Sequence, residues 1–364
     1  MTDAPTAFLA TCAVAAGGVL LALVATHRKA GDALEYALGA SAGLYGAQIL
    51  KVHVFTIVCV LYLVVGRKPI QRPAGPSLLL LAAVALLLAS VPLAASVNRP
   101  TLALSLTALA LGSVVIARRV TKASASRMLW GLFATCVVAA IVAVGQKLGA
   151  IYYTPITDAN GLVRVHSIYS EPDWLGLFSA TGLLLAFLLP FHGYRKTQLL
   201  LASFLLAGLL LSAARVSWAA FAFTFMLLVM GPRRLERKSL RNGRVIVIAA
   251  VVITVVAIAV PAVSTSVIGR LTAGGANQLS VQTRAAQQVS LESLAGHAPW
   301  HGLGLSAAGR VGVTGKIAPG RAPNGVATNW ILGWWVDAKY LAIPIIALLI
   351  GLALRTVGRP SGLL

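Results

Sequence analysis

Three arginines set the chemistry this chain can offer. Arg164, Arg215 and Arg284 each stand in or beside a polar connector of an otherwise apolar chain. A guanidinium is a planar fork of donors that binds two oxygens of a phosphate at once. Near them in sequence lie groups able to accept a hydroxyl proton: His166, Glu171 and Asp173 follow Arg164, and His301 follows Arg284. No Asp-x-Asp pair occupies these connectors, and Cys12, Cys59 and Cys136 fall in apolar runs without metal-ligand spacing. The sequence therefore predicts no metal, no cofactor and no disulfide framework, with the cysteines as small packing residues. What remains is anion binding coupled to proton transfer.

The elements that must position these groups are apolar. Of 364 residues, 58% are hydrophobic and 11% charged, outside the balance of soluble domains. Runs of about 20 apolar residues cross roughly 30 Å of hydrocarbon as helices, and the alternation of a membrane barrel is absent. The expected fold is all-α and integral to a membrane: a polytopic bundle of about 10–11 transmembrane helices. Spans are expected at 8–26, 49–65, 77–96, 101–117, 128–148, 174–190, 199–214, 217–230, 245–260 and 330–354, the last interrupted by Asp337, Lys339 and Pro344. Residues 33–48 are Gly-rich and form either a short span or a re-entrant piece. The first run lacks a small-residue cleavage pattern and is expected to be a retained span. Three regions follow: the multi-span bundle over 1–263, an extracytoplasmic loop with short amphipathic helices over 264–328, and a last helix with a cytoplasmic tail over 329–364.

The formal net charge of +21 does not imply nucleic acid, because most Lys and Arg lie in short connectors between spans. Placing the basic connectors 67–72, 118–127, 195–196 and 233–244 and the tail 355–359 in the cytoplasm puts 97–100, 149–173, the Arg215 turn and 264–328 outside. Arg28 and Lys29 agree with this sidedness only if 33–48 is a span.

Within the outer connectors, 149–173 carries Tyr152 and Tyr153 and then an Asn-Gly turn at Asn160-Gly161, which favours a short ribbon or compact loop. Glu171-Pro172-Asp173 also suits a helix start, where carboxylates complement the dipole. Arg215 interrupts a long uncharged stretch; such a residue needs an anion, a partner or water, or else it is a turn residue reaching the interface. Residues 280–294 have helical spacing, with Val281, Ala285 and Val289 on one face and Arg284, Gln288 and Glu292 on another. That helix either lies along a membrane surface or presents a solvated face. Gly302-Leu303-Gly304 permits close backbone approach to a ligand, without the strand and helix that frame a dinucleotide loop.

The order of these features resembles the O-antigen ligase and polymerase superfamily, membrane enzymes that move glycans from undecaprenyl diphosphate carriers. The resemblance rests on Arg164 through Gly176 entering a span, on the Ser212–Ser217 turn around Arg215, and on Arg284 followed by Pro299 and Gly302-Leu303-Gly304. It covers roughly 49–354, and its motifs are short and degenerate. Where that family often has His-Asn, this chain has Thr328-Asn329, which favours a polymerase or another transfer over lipopolysaccharide ligation.

The resemblance implies metal-independent inverting glycosyl transfer at the outer face of a bacterial cytoplasmic membrane, with no cofactor. The implied partners are a polyprenyl-diphosphate-linked glycan donor, a glycan or lipid acceptor and membrane lipids. Arg215 and Arg284 are the expected catalytic cations, and Arg164 the next. His301 or Glu171 is the expected base, with His166 and Asp173 as further choices. Arg164, His166, Asp173, Gly302, Gly304 and Asn329 are expected to bind substrate. Two other classes stay open. A transporter or flippase would carry charges within several spans or a paired repeat; here only Lys51 with His53, and Asp337 with Lys339, offer themselves. A non-catalytic scaffold would have no need of Arg215 and Arg284.

Overall fold

A computed structural model describes residues 30–44, 47–49, 52–65, 116, 119–153, 156–157, 163–169, 171–191, 194–230, 279–304, 330–344, 346–348 and 350–351. These are mostly helical. The expected spans at 8–26, 77–96 and 245–260, most of 101–117, and Asn329 lie outside them. The chain divides into two compact units: described residues 30–65 and 120–230 belong to the first, and 116, 119, 279–304 and 330–351 to the second.

The first unit begins with α1 (Ala30–Gly43), a two-residue ladder of β1 (Gln48–Ile49) and β2 (Val52–His53), and α2 (Val54–Val65). The single span expected at 49–65 is thus corrected. The chain doubles on itself, with Val54 N–H donating to the Ala47 carbonyl at 3.0 Å, and α2 has only 12 residues, about 18 Å of rise. Helix α3 (Lys122–Lys147) has 26 residues, a rise of about 39 Å. Among the described residues it alone is long and apolar enough to cross a membrane, with a mean hydropathy of 2.3. It starts six residues before the expected 128, because Thr121 caps it: its Oγ1 accepts from Ser124 N–H at 3.2 Å. Three more helices follow: α4 (Pro172–Leu188), α5 (Arg195–Leu211) and α6 (Arg215–Met230).

Small residues bring these helices together. A Cβ on Gly39 would overlap the Met128 carbonyl oxygen, and one on Gly131 would overlap that of Tyr36. Helices α1 and α3 therefore touch backbone to backbone. Gly39 meets Met128 and Gly43 meets Thr135, so the two run in the same direction. Along α4, Gly176, Ser179 and Gly182 form a stripe at spacing three: Gly182 admits Leu205, and Ser179 faces Gly208. Around it Phe133, Cys136, Leu183, Leu205 and Leu209 close the core. At one end of this unit Phe191 packs on Trp130 and Phe133, with ring centroids 4.9 and 5.6 Å apart, near the start of α3. The connectors 149–171 and 212–214 meet at the other end.

In the second unit α7 (Leu279–His297) packs on α8 (Trp330–Ala338), followed by a 3-10 turn at Lys339–Ala342. Of the face expected at Val281, Ala285 and Val289, the Val281 side chain lies outside the described residues. Ala285 and Val289 are exposed, and the buried face is Leu291 and Ala295 with Leu294, against Leu332, Trp335 and Val336. The larger leucine side chains win because they remove more apolar area. The span expected at 330–354, with Asp337, Lys339 and Pro344 interrupting it, is broken at that place. Lys339 adopts φ +42°, its Nζ donates to the Ala298 carbonyl, and helical residues resume at Ile343-Pro344, where a proline near a helix start lacks no needed N–H.

Candidate functional site in the first unit

Gly149, at φ +74°, lets the chain leave α3. The connector then forms the expected ribbon: β3 (Ile156–Thr157) pairs antiparallel with β4 (Val163–Arg164), Ile156 opposite Arg164. Beyond the ribbon the backbone returns beside α3. The Gln146 amide holds Ser167 from both sides, donating from Nε2 to its carbonyl at 3.1 Å and accepting its N–H at 2.9 Å. Ser167 Oγ donates to the Ala139 carbonyl at 2.5 Å. Ser167 is fully buried at φ +60°, a left-handed conformation that a serine holds only when its surroundings fix it. The Tyr169 hydroxyl donates to the Gly43 carbonyl at 3.0 Å, the last residue of α1. Burial pushes the Tyr169 phenol well above its ordinary value, and that of Tyr153 upward, so Tyr169 stays a donor. Irregular backbone enclosed in this way is tolerated among helices where its polar groups have protein partners, as those of Ser167 and the Tyr169 hydroxyl do.

Arg164 ties this connector to the next. Its residue is only 8% exposed. Nε donates to the Ser212 carbonyl at 3.0 Å, and Nη2 donates to Asp173 Oδ1 at 2.6 Å. Ser212 belongs to the tight turn between α5 and α6, where Ala213 takes φ +50° and Ala214 N–H donates to Ser212 Oγ at 3.2 Å. Arg215 is half-buried and is the first residue of α6. A Cβ on Gly176 would stand 2.8 Å from Ser212 Oγ, from Ala214 Cβ and from Ser217 Oγ. The first turns of α4 and α6 are therefore side by side. Their rings still meet further along, Phe187 to Phe225 at 5.1 Å, so the helices are parallel. Two helix N-termini and two guanidinium-bearing residues gather at one point, and each N-terminus carries about half a positive charge.

The remaining expected groups of this unit surround that point. Glu171 is the exposed N-cap of α4 and makes no side-chain cap bond. Asp173, in the first turn, is half-exposed. His166 Nδ1 lies 2.6 Å from the Tyr169 carbonyl. A carbonyl only accepts, so Nδ1 carries the proton and the neutral ring has its lone pair at Nε2. Its ring meets that of Tyr153 edge-on at 5.8 Å.

Arg284, His301, Gly302 and Gly304 belong to the second unit. Arg284 is a residue of α7, and on the same helix Gln288 Nε2 donates to Glu292 Oε1 at 2.9 Å. His301 meets the Trp300 ring edge-on at 5.3 Å, and its buried Nδ1 has no hydrogen-bond partner among the described residues. The close approach expected of the two glycines is made to α8. A Cβ on Gly302, at φ +78°, would overlap the Asp337 carbonyl oxygen. Leu303 and Gly304 N–H groups donate to the Val336 and Asp337 carbonyls at 2.9 and 2.8 Å.

Sequence reasoning missed Gln146, and it gave Ser167 and Ser212 only as parts of longer stretches, without the backbone partners on which their polarity is used. It also missed Glu35, which is fully buried on α1. Glu35 accepts from Ser124 Oγ at 2.7 Å and from Arg127 Nη1 at 2.8 Å, and Arg127 Nη2 is 3.1 Å from Asp32. The signal was present as Asp32-x-x-Glu35, two acids one turn apart in a glycine-rich apolar helix. No family model matches the chain, and neither any curated protein nor any solved structure matches it.

Proposed function

We propose that this chain is a polytopic membrane glycosyltransferase. It moves or polymerises a glycan from a polyprenyl-diphosphate-linked donor onto an acceptor hydroxyl at the outer face of a bacterial cytoplasmic membrane. The observation that carries the reading is the 3.0 Å bond from Arg164 Nε to the Ser212 carbonyl. It joins two connectors, far apart in sequence, at the paired N-termini of α4 and α6. An inverting transfer needs such a place. As the bond from the sugar C1 to the phosphate oxygen lengthens, negative charge gathers on the diphosphate. Fixed donors stabilise that charge more in the transition state than in the ground state. Arg164 and Arg215 would bind the diphosphate here, and Glu171, Asp173 or His166 would take the hydroxyl proton; Arg284 and His301 remain the candidates that the sequence offers for the same two roles. The distribution of charge supports the sidedness this requires: the basic starts of α3 and α5 lie at the end of the unit opposite the 149–171 and 212–214 connectors.

The test is transfer by purified protein supplied with an undecaprenyl-diphosphate-linked saccharide. Product should form without ATP and vanish in Arg215→Ala and Arg284→Ala proteins that keep the wild-type unfolding temperature. Normal turnover in both variants removes the assignment. A transporter of lipid-linked saccharides is the second reading, favoured by the buried Glu35 carboxylate and its Arg127 partner. It requires vesicles containing the protein to move the intact donor between leaflets with no new glycosidic bond.

A further inference from the structure

We propose that Asp173 is a resident counter-ion of Arg164 which the donor's diphosphate displaces, and that the displaced carboxylate is the base that receives the acceptor's proton. The inference rests on the transferase reading above and specifies how that site is kept closed and then armed. The argument starts from an asymmetry of burial. The Arg164 side chain is 9% exposed and that of Asp173 49% exposed, although their atoms are 2.6 Å apart. The cation is fixed, since Nε is held by a backbone carbonyl of the Ser212 turn and its stem is buried. The anion is the replaceable partner, because half of it already faces water and an exposed carboxylate gives up a salt bridge at little cost.

The place where Asp173 sits is also the place a phosphate would seek. It lies in the first turn of α4, whose N-terminus adjoins that of α6 at Gly176, so backbone N–H groups of two helices favour negative charge there. A diphosphate brings more charge than one carboxylate and more acceptor oxygens to the guanidinium fork. Once it occupies Nη2, a carboxylate at the same spot is repelled by like charge and swings toward its exposed side. The oxygen lone pair that accepted the Arg164 N–H is then available to a hydroxyl. In the transfer itself the acceptor oxygen attacks the sugar C1 and its proton passes to the Asp173 carboxylate. The C1–oxygen bond breaks with its electron pair remaining on the diphosphate, and water later removes the proton from Asp173. Binding the donor thus releases the Asp173 carboxylate from Arg164 to act as the base.

The test compares the full-length wild-type, Asp173→Asn and Arg164→Gln proteins. Binding of undecaprenyl diphosphate is followed by calorimetry in detergent, and turnover by product formation from the lipid-diphosphate-linked saccharide. Asparagine keeps an oxygen for Arg164 and removes the competing charge. Asp173→Asn should therefore bind undecaprenyl diphosphate roughly five- to tenfold more tightly, with a lower KM, while kcat falls about 10²- to 10⁴-fold. Arg164→Gln should bind at least about tenfold more weakly. A merely structural Asp173 would move KM and kcat together through loss of folded protein and would not tighten binding. Unchanged or weaker binding by Asp173→Asn, or an undiminished kcat, overturns the exchange; if Arg164→Gln still weakens binding, the anion site survives it. Failure of the wild-type protein to bind undecaprenyl diphosphate at all overturns the transferase reading, and the exchange with it.

Discussion

The two ends of the first unit each hold an arginine paired with an acid, and the burial is reversed between them. Where α1 meets the start of α3, the Glu35 side chain is 0% exposed and that of Arg127 24%. Where the 149–171 connector meets the Ser212 turn, Arg164 is 9% exposed and Asp173 49%. A buried carboxylate without its cation is an uncompensated charge, so the first pair is bound into the fold. A buried arginine with an exposed acid is a fixed cation with an exchangeable anion. The difference separates an end bound into the fold from one that, on the proposal made above, would accept a ligand.

The strongest way to break this comparison is to remove a partner at the closed end. Arg127→Ala leaves the Glu35 carboxylate buried with only Ser124 Oγ of its two named partners, and should destabilise the protein by about 3–5 kcal/mol. Thermal unfolding in detergent measures it; a loss below about 1 kcal/mol would make the two ends alike. Gly39→Ala attacks the same end by volume, since its Cβ would overlap the Met128 carbonyl oxygen. Helices α1 and α3 must separate, at a cost of about 1–3 kcal/mol. Binding of undecaprenyl diphosphate by the folded fraction should not change, because the altered contact lies at the end away from Arg164.

Much of this geometry was legible in short stretches. The Asn160-Gly161 dipeptide in the sequence announced the β3–β4 ribbon, Glu171-Pro172-Asp173 announced the start of α4, and the 280–294 spacing located α7 within a few residues. Each of these is a local preference of backbone or periodicity. What pairs across the fold was not legible. Glu35 and Arg127 are 92 residues apart, and Arg164 and Ser212 are 48 apart, and periodicity says nothing across such gaps. Gly302-Leu303-Gly304 shows a different limit. Sequence identifies a backbone able to come close to something, but the neighbour it meets, the end of α8, is chosen by tertiary packing. Asp337, Lys339 and Pro344 marked the interruption of the last span, but the partner that stops α8 at Ala338 was hidden for the same reason, since Lys339 leaves the helix to reach the Ala298 carbonyl.

At the open end, Arg164→Gln should cost about 1–3 kcal/mol, the penalty for leaving a buried carbonyl without its charged donor, because Ser212 is fully buried. The smallest expected effect is the most informative. Asp173→Asn should change stability by no more than about 1 kcal/mol, since a half-exposed carboxylate is screened by water and asparagine still accepts from Arg164. A double-mutant cycle sharpens this into a single quantity. The coupling between Arg164→Gln and Asp173→Asn should stay near or below about 1 kcal/mol, while that between Arg127→Gln and Glu35→Gln should exceed it about threefold, as fits a pair with one fully buried member. Equal couplings would mean that the fold holds Asp173 as firmly as it holds Glu35. A carboxylate bound that tightly would not yield its place to a diphosphate, and the distinction between a closed and an open end would be lost.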